Sequence, residues 1–484
     1  MIKKCRVVGL VLSCLILEIC SYAIVAAQEI RINGVVGHDI YGNGAAGNPP
    51  ADRESSNNSV DIEGAAGVNV RGDVAGGRNQ RDVVSNNRVV IDIAAWRGVV
   101  GAGIIEGDVY GGWNPSVRAR GNAISNRITI RNGTISGGQG AYGGRSEGGI
   151  ARRNEMEMEG GTIQLGGAYG ARSYGDAISN KLKITGGTIN GGQGAYGGRS
   201  DIRTAQGNEV EMEGGTITNN AYGGRGHGDA ISNRMKITGG TINGRDGAYG
   251  GYSGGGKAQG NEMEMEGGVI AGDAYGGYGH WDAISNRMKI TGGTINGGDG
   301  SYGGWTDGGK AQGNEMYMEG GVITNNACGG TGIVGDAISN RVKITGGTIG
   351  GGAYGGCSIV GKVEGNEVEM EGGTITNDAY GGSGQGGAIR NRMKITGGTI
   401  GRGAGGGRSE GGKAQGNEME MEGGVITNNA YGGYGKLDAN GNRVIIRGGE
   451  ILANVYGGKS EDEGAVGNTV EISGDARFST DTYI

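Results

Sequence analysis

The segments NEMEMEGG, residues 154–161, and NKLKITGG, residues 180–187, decide the fold of this chain. Each begins with asparagine, places apolar residues at its third and fifth positions and ends in two glycines. A period of two is typical of a β-strand with one buried face, because a helix needs apolar residues three or four positions apart. The glycine pair predicts a tight corner after the strand.

The same segment recurs every 25 to 28 residues, a spacing typical of a solenoid. Less regular relatives begin at Asn58 and Asn87, and EIRING at residues 29–34 is a candidate first turn. The chain has 117 glycines among 484 residues and only 35% hydrophobic residues, so this periodicity is what argues against a disordered chain. The asparagines that begin the regular segments are Asn126, Asn154, Asn180, Asn208, Asn233, Asn261, Asn286, Asn314, Asn340, Asn366, Asn391, Asn417, Asn442 and Asn468.

Each repeat contains three predicted short strands. In one repeat they cover residues 155–158, 162–163 and 168–170, and a loop is predicted to lead back to the next asparagine. No such strand can bury a core alone, so each turn must form hydrogen bonds with the turns on either side of it. We therefore predict an all-β fold, a single-stranded parallel β-helix (β-solenoid) of about 17 turns of about 26 residues. Right-handed coiling is favoured because crossovers between parallel strands are almost always right-handed.

The predicted organisation of the chain has four parts. Residues 1–27 combine a basic start, an apolar run and a small-residue cleavage site, which is typical of a signal peptide. Residues 28–125 are predicted to form irregular β-helix turns and residues 126–478 regular ones, followed by a C-terminal tail at residues 479–484.

The leader predicts a secreted protein. A cell-surface location associated with the outer membrane, with the periplasm as the fallback, is what the family resemblance given below implies. A lipoprotein signal that uses Cys14 is the alternative. No later segment approaches the roughly 18 apolar residues of a membrane-spanning helix, so no transmembrane segment is predicted in the mature chain. The net charge of −6 without a separate basic patch argues against nucleic acid as a partner.

Charge alternates from one repeat to the next at the position after the asparagine. Stacked parallel repeats place each residue about 4.8 Å from its copy, where like charges repel. A slip by one turn would set like charges together, so the alternation is predicted to specify register. The thirteen alternating residues are Arg127, Glu155, Lys181, Glu209, Arg234, Glu262, Arg287, Glu315, Arg341, Glu367, Arg392, Glu418 and Arg443.

Two cysteines remain after the leader, Cys328 and Cys357. Cys328 occupies the position of a repeated tyrosine, and Cys357 lies three residues beyond the equivalent tyrosine of the next repeat. In regular strands this offset exceeds the limit of about 7 Å between the Cα atoms of a disulfide. The sequence therefore predicts two free thiols.

The repeats carry no visible catalytic chemistry. Glu155, Glu157 and Glu159 could be read as a glycoside-cleaving pair or as a calcium ladder, but they recur in every second repeat and face Lys or Arg. A solvated ladder of ion pairs is the favoured interpretation, and no catalytic residue, cofactor or metal site is predicted. A carbohydrate-active enzyme, with its site in the less regular residues 37–80, and a purely structural stalk are the alternatives.

The units NRMKITGGTI…AYGG and NEVEMEGGTI…AYGG resemble repeats in the passenger regions of bacterial autotransporters and related surface adhesins. The resemblance covers roughly residues 58–474 and implies an exported β-helical stalk displayed at the outer surface. Members of that family continue into a C-terminal membrane barrel, whereas this chain stops at Ile484. A separate export partner, a truncated gene product or a periplasmic protein would each account for the difference.

A host or cell-surface protein, or a glycan, is the expected partner. Trp113, Tyr252, Tyr278, Trp305 and Tyr434 follow a glycine pair and are predicted to be exposed enough for contact. The tripeptide Arg71-Gly72-Asp73 matches the one that integrins recognise. The repeated tyrosines are interpreted as a stacking ladder, or else as an aromatic binding face, and they are Tyr142, Tyr169, Tyr196, Tyr222, Tyr249, Tyr275, Tyr302, Tyr354, Tyr380 and Tyr431.

Overall fold

The structure is a computed structural model that describes residues 29–32, 35–42, 55–64, 68–93, 103–118 and 120–484. The predicted signal peptide, residues 1–27, lies outside the described residues. Throughout the described residues the regular secondary structure consists of β-strands. The chain divides into two compact units. Unit 1 comprises Met1–Ile202 and Gly215–Asn219, and unit 2 comprises Arg203–Gly214 and Asn220–Ile484.

Each unit is a parallel β-solenoid, as the sequence predicts, and the two units together hold about 16 turns of about 26 residues. One complete turn contains the strands Glu155–Met158, Thr162–Ile163, Gly167–Ser173 and Ala177–Ile178. Each pairs in parallel with its copy in the turn before it. We call the four resulting sheets the charged, threonine, tyrosine and alanine sheets.

The charged sheet contributes two apolar side chains to the core in each regular turn. Met156 and Met158 are fully buried, whereas Glu155 and Glu157 between them are partly exposed, which confirms a strand with one buried face. In unit 1 the strands are Glu29–Ile32, Ser59–Gly64, Arg88–Ile93, Arg127–Asn132, Glu155–Met158 and Lys181–Ile184. In unit 2 they are Glu209–Met212, Arg234–Ile237, Glu262–Met265, Arg287–Ile290, Glu315–Met318, Arg341–Ile344, Glu367–Met370, Arg392–Ile395, Glu418–Met421, Arg443–Ile446 and Thr469–Ile472.

The threonine sheet begins after the predicted glycine corner, where Gly161 has a φ of 76° and Ile163 then points into the core. In unit 1 its strands are Val35–Val36, Asn69–Val70, Ile104–Ile105, Thr134–Ile135, Thr162–Ile163, Thr188–Ile189 and Thr216–Ile217. In unit 2 they are Thr241–Ile242, Val269–Ile270, Thr294–Ile295, Val322–Ile323, Thr348–Ile349, Thr374–Ile375, Thr399–Ile400, Val425–Ile426, Glu450–Ile451 and Arg477–Phe478.

The tyrosine sheet contains the longest strands of most turns and carries the repeated aromatic residues. In unit 1 its strands are Ile40–Tyr41, Val74–Arg78, Val109–Asn114, Gly140–Ser146, Gly167–Ser173 and Gly194–Ser200. In unit 2 they are Ala221–Gly226, Ala248–Ser253, Ala274–Gly279, Gly300–Thr306, Asn326–Gly332, Ala353–Ser358, Ala379–Gly384, Ala404–Ser409, Ala430–Gly435 and Val455–Ser460.

The alanine sheet corrects the prediction of three strands per turn. The segment predicted as a returning loop contains a fourth strand of two residues, which is too short to show an alternating pattern in the sequence. In unit 1 these strands are Ser55–Ser56, Val84–Ser85, Ala123–Ile124, Ala151–Arg152 and Ala177–Ile178. In unit 2 they are Ala205–Gln206, Ala230–Ile231, Ala258–Gln259, Ala283–Ile284, Ala311–Gln312, Ala337–Ile338, Val363–Glu364, Ala388–Ile389, Ala414–Gln415 and Ala439–Asn440.

The repeated asparagines form a buried ladder within each unit. Asn314 is fully buried, and its Nδ2 donates to the Ala283 carbonyl at 2.8 Å and to Oδ1 of Asn340 at 2.9 Å. Its own Oδ1 accepts hydrogen bonds from the backbone N and the Nδ2 of Asn286, both at 3.0 Å. Each amide thereby satisfies backbone groups of the neighbouring turns that water cannot reach.

We predict that Asn314→Ala destabilises the fold by about 3–5 kcal/mol, because it leaves two donors of Asn286 and the Ala283 carbonyl without their partner. Asn296→Ala, at an exposed position of a turn, is the matched control and should change stability by less than about 0.5 kcal/mol. Urea denaturation followed by circular dichroism measures both. Equal losses for the two variants would contradict a structural role for the ladder.

The residue before each asparagine turns a second corner. Gly441 has a φ of 62°, and a Cβ atom there would meet no atom within 4 Å. Ser285 and Arg390 occupy equivalent positions with a φ of 52°, so side chains are accommodated. Gly449, at the glycine corner after the charged strand, has a φ of 87°, and a Cβ atom there would lie 2.5 Å from Cε of Met421.

We expect Gly441→Ala to cost about 1 kcal/mol, the conformational penalty of left-handed backbone alone. Gly449→Ala should cost clearly more, since its Cβ atom would also lie 2.8 Å from the backbone oxygen of Gly424, which cannot move aside as the Met421 side chain can. The midpoints of urea unfolding would rank the two variants, and a larger loss for Gly441→Ala would refute this account of the corners.

Candidate partner-binding surface

The repeated tyrosines stack along the tyrosine sheet. The ring centroids of Tyr142 and Tyr169 lie 4.5 Å apart and those of Tyr249 and Tyr275 lie 4.7 Å apart, with interplanar angles of 7° and 4°. These rings are almost fully buried, so the column stiffens the sheet and offers little ring surface to a partner. The interpretation as a stacking ladder is confirmed for these residues.

The second glycine of the pair that follows most of the tyrosines faces the asparagine ladder, whereas a Cβ atom at the first, such as Gly250, would meet backbone oxygens of the neighbouring strands. A Cβ atom at Gly251 would overlap the side chain of Asn261, and one at Gly277 would overlap that of Asn286. The pair also changes the direction of the strand. In a regular strand, residues three apart lie on opposite faces, yet Tyr249 and Tyr252 meet edge to face at 5.4 Å.

This change of direction creates an outer aromatic column over the inner one. Tyr252 pairs in register with Tyr278, and Tyr278 pairs with Trp305. The rings of Tyr252 and Tyr278 stack at 4.9 Å, and the guanidinium of Arg225 lies 5.2 Å from the Tyr252 ring. All three aromatic side chains of the column are half-buried, so each keeps an exposed edge.

Asp307 fixes the exposed end of this column. Its carboxylate accepts hydrogen bonds from the hydroxyl of Tyr278 at 2.7 Å and from Nε1 of Trp305 at 3.3 Å, and His280 lies 3.5 Å from it. Burial, together with the hydrogen bond to Asp307, raises the pKa of Tyr278 above its ordinary value. The phenol therefore remains a donor throughout the physiological pH range.

The loops that follow these strands expose apolar side chains that the sequence analysis did not single out. Trp281 is 57% exposed, Val334 58%, Ile359 53% and Val360 61%. Elsewhere in unit 2, as far as residue 451, no described large apolar side chain is more than half exposed. The loops belong to successive turns, since the backbone N of Val334 donates to Asp307 and that of Val360 donates to Ile333.

We define the apolar patch as Tyr252, Tyr278, Trp281, Trp305, Val334, Ile359 and Val360. Three of these residues come from the sequence prediction, and the structure places them in one column. The other four were missed because exposure depends on tertiary structure. The sequence did carry one sign of these residues, because GIVGD (332–336) and SIVGK (358–362) have apolar pairs at positions where another repeat has SEGGK (409–413).

Two predicted contact residues lie apart from the patch along the chain. Trp113 belongs to unit 1, where it stacks on Tyr110 at 4.6 Å and lies beneath the guanidinium of Arg78 at 4.4 Å. Tyr434 belongs to a later turn of unit 2, and its hydroxyl donates to Glu461. Both rings are half-buried, and their role as contacts stays a prediction.

The tripeptide Arg71-Gly72-Asp73 lies in unit 1 at the corner between the threonine and tyrosine sheets. Arg71 is exposed, whereas Asp73 is half-buried and its Oδ1 accepts the backbone N–H of Asp108 at 2.8 Å. A Cβ atom at Gly72 would overlap Asp39. The aspartate of the tripeptide thus holds the next turn, and integrin recognition stays a prediction.

The repeated glutamates form the predicted ladder of ion pairs. Arg234 lies 3.2 Å from Glu209, 3.5 Å from Glu262 and 2.7 Å from Glu264. Arg392 likewise contacts glutamates of the turns on both sides of it. The sign alternation seen in the sequence is therefore a network that links successive turns.

Within the described ranges, no group of three or more His, Cys, Asp or Glu side chains is placed to hold a metal ion. A search of the same ranges for a long apolar helix that could cross a membrane found none. Comparisons of the chain with models of protein families, with curated proteins and with solved structures find no match.

Acid should weaken the ladder of ion pairs. Burial tends to raise the pKa of Glu420, but hydrogen bonds from Arg447 and Arg392 outweigh it, and the pKa lies below its ordinary value of 4.5. The pKa of Glu369 is lowered in the same way by Arg341 and Lys343. A carboxyl whose pKa is lower in the folded chain contributes stability above its unfolded pKa, and this contribution is lost as the pH falls through the folded pKa.

We therefore expect unfolding in urea to become easier as the pH falls below about 4.5. Glu420→Gln should cost about 2 kcal/mol at pH 7, because two charged hydrogen bonds are weakened, and its deficit should shrink towards pH 3. Glu450→Gln, at an exposed position of the threonine sheet, serves as the control. A deficit for Glu420→Gln that stays constant with pH would contradict the assignment.

Proposed function

We propose that this chain is an exported, non-catalytic β-solenoid of the autotransporter-passenger or adhesin type, which binds a protein at a cell surface through the apolar patch. The observation that carries the proposal is the concentration of exposed Trp281, Val334, Ile359 and Val360 beside the outer aromatic column. Proteins rarely leave such side chains together in solvent, and a patch of this kind commonly marks a binding surface.

The composition of the patch favours a protein partner over a glycan. Sugar binding uses aromatic faces with polar neighbours, which Trp305 and Asp307 could provide. The branched aliphatic side chains Val334, Ile359 and Val360 add surface that has no hydroxyl group to offer a sugar. Aromatic anchors next to aliphatic residues are typical of the central part of a protein interface.

The scaffold under the patch is rigid. Tyr252, Tyr278 and Trp305 lie on strands of a sheet whose neighbouring column is a stacked ladder, and Asp307 holds two of the rings. A preformed surface loses little conformational freedom on binding, and this raises affinity. The absence of catalysis is part of the proposal, supported by carboxylates that recur in every second turn and are paired with Arg or Lys.

Export is the second part of the proposal. It depends on the signal-peptide pattern of residues 1–27 and on the resemblance of the repeats to passenger regions. A protein on the outer surface would expose the apolar patch to host or neighbouring cells.

Surface plasmon resonance of the purified chain against immobilised fibronectin, laminin and collagen, and against a panel of neutral glycans, tests the binding function. The triple variant Trp281→Ala, Val334→Ser, Val360→Ser should weaken binding to a protein of the panel by about 30-fold or more, the loss expected for a central anchor.

The variant Leu165→Ser, Ile202→Ser is the matched control, because it removes exposed apolar side chains of unit 1 that are not part of the patch. It should bind like the parent chain. Binding to glycans alone, binding that the triple variant leaves unchanged, or no binding to any probe would each refute a protein-binding patch.

A further inference from the structure

The residue three positions after each repeated tyrosine, or after the residue that replaces the tyrosine, forms a column in each unit, and we call this place the outer position. In unit 1 its described residues are Arg78, Trp113, Arg145, Arg172 and Arg199. In unit 2 they are Arg225, Tyr252, Tyr278, Trp305, Thr331, Cys357, Ser383, Arg408, Tyr434 and Lys459. Basic residues are common in this column, but six successive turns of unit 2 hold none at the outer position.

Arginines at the outer position pair with a carboxylate two residues further on. Asp201 lies 2.8 Å from Nε of Arg199 in its own turn and 2.9 Å from Nε of Arg172 in the preceding turn. The guanidinium of Arg199 also lies 5.5 Å from the ring centroid of Tyr196. Two further pairs of an outer arginine with such a carboxylate are Arg145 with Glu147 and Arg408 with Glu410. The chain itself thus brings guanidinium groups together with an aromatic ring and a carboxylate.

Asp307 has the position of Asp201 but no arginine. Its Oδ2 accepts a hydrogen bond from the Tyr278 hydroxyl at 2.7 Å, and its Oδ1 accepts one from Nε1 of Trp305 at 3.3 Å. Two neutral donors thus replace the two guanidinium groups. Among the described residues, the only basic side chain that pairs with this carboxylate is His280, whose Nδ1 lies 3.5 Å away and carries a charge only when the ring is protonated.

Asp307 is an isolated charge beside the apolar patch. In the six turns from Tyr252 to Ser383, it is the only Asp, Glu, Lys or Arg at the outer position or two residues after it. Its side chain is 33% exposed. The backbone N of the exposed Val334 donates to the Asp307 carbonyl at 3.3 Å, so the charge lies next to the aliphatic part of the patch.

A protein that covers the apolar patch would also remove water from the Asp307 carboxylate. Transfer of a carboxylate from water into an apolar contact is strongly unfavourable unless a cation pairs with it. Because two of the three neighbours of this carboxylate are neutral, the compensating charge has to come from the partner.

We propose that the protein partner of the apolar patch inserts an arginine side chain beside Trp305, where its guanidinium pairs with the Asp307 carboxylate. This inference rests on the proposed function for the existence of a protein partner. It adds the group of the partner on which binding depends.

Arginine fits this position better than lysine does. Each oxygen of Asp307 accepts one hydrogen bond and keeps a further lone pair, so the two parallel N–H groups of a guanidinium can bind both oxygens. A guanidinium is also flat and packs on aromatic rings, as that of Arg78 does at 4.4 Å from the Trp113 ring centroid. A lysine ammonium is a point charge and lacks this fork.

Trp305 has an open side for the guanidinium. Among the described residues, its ring contacts are with Tyr302 of its own turn and Tyr275 of the preceding turn. The following turn places Thr331 in register with it. Trp113, by contrast, has an arginine at the outer position of the turns on both sides. The arginine of a partner would take the place beside Trp305 that an arginine of the chain takes beside Trp113.

The next outer positions also carry small side chains. Cys357 and Ser383 occupy them in the two turns before Arg408. The prediction that Cys357 and Cys328 are free thiols is confirmed. No ring or long side chain therefore stands at the outer position between Trp305 and Arg408 to block an approaching chain.

A small probe tests the arginine site without the unidentified partner. The full chain is labelled with fluorotryptophan, and the fluorine NMR signal of Trp305, one of four tryptophans, is assigned with the variant Trp305→Phe. The peptide acetyl-Leu-Arg-Leu-amide is titrated into the labelled chain. The same peptide with citrulline, which has the shape of arginine but no charge, is the control. We expect a saturable shift of the Trp305 signal with the arginine peptide and none with the citrulline peptide.

The variant Asp307→Asn should weaken binding of the arginine peptide about tenfold or more, the loss expected for a hydrogen bond to a charged group. Asp299→Asn removes an exposed carboxylate before another strand of the same sheet and should bind like the parent chain. The two peptides are compared on the parent chain, so that result does not depend on how the variants fold. No shift with the arginine peptide, equal shifts with both peptides, or unchanged affinity of folded Asp307→Asn would overturn the proposal.

Surface plasmon resonance separates this inference from the proposed function. A protein of the panel that binds the parent chain should lose about tenfold in affinity for Asp307→Asn and nothing for Asp299→Asn. If the arginine peptide binds at Trp305 but no protein of the panel binds, the arginine site stands and the proposed function fails. Protein binding that the triple variant weakens and Asp307→Asn leaves unchanged supports the patch and overturns the arginine site.

Discussion

The buried asparagine ladder is the constraint on which the rest of each unit depends. An amide that donates to one turn and accepts from another works only if every turn supplies an asparagine at the same place, which fixes the repeat. The ladder also dictates its surroundings. A Cβ atom at Gly251 would overlap Asn261, so the facing position is glycine in most turns, although Ala171 occupies it in one, and the residue before each asparagine adopts a left-handed conformation.

The ladder explains in turn why the aromatic residues lie where they do. The glycine pair that accommodates the asparagine redirects the tyrosine strand, so a residue three positions on lies over the tyrosine. The buried asparagines of the core thus account for the two columns of aromatic side chains, inner and outer, on the tyrosine sheet. The loops that follow the tyrosine strands take part in neither the asparagine ladder nor the aromatic stacking. In unit 2 they carry the exposed Trp281, Val334 and Val360.

The sequence predicts features that depend on spacing, such as the β-solenoid, the corner at Gly161, the stacked tyrosines and the sign alternation that Arg234 and Glu264 illustrate. It does not predict the alanine sheet, because a strand such as Ala177–Ile178 is too short for a period to appear. Four of the seven residues of the apolar patch were not predicted, for a different reason. Val334 and Val360 have the composition of core residues, and only the path of the chain shows that they face solvent.

The alternation of charge means that turns can be gained or lost during evolution only in pairs. Deleting or duplicating one turn would place two turns of the same sign side by side, whereas deleting or duplicating two consecutive turns keeps every neighbour opposite in sign. Recombination between near-identical repeats can therefore lengthen or shorten such a gene only in units of about 53 residues without breaking the network. Each pair of turns gained in this way would bring its own outer loops. A new binding surface could therefore be added while the core stays unchanged.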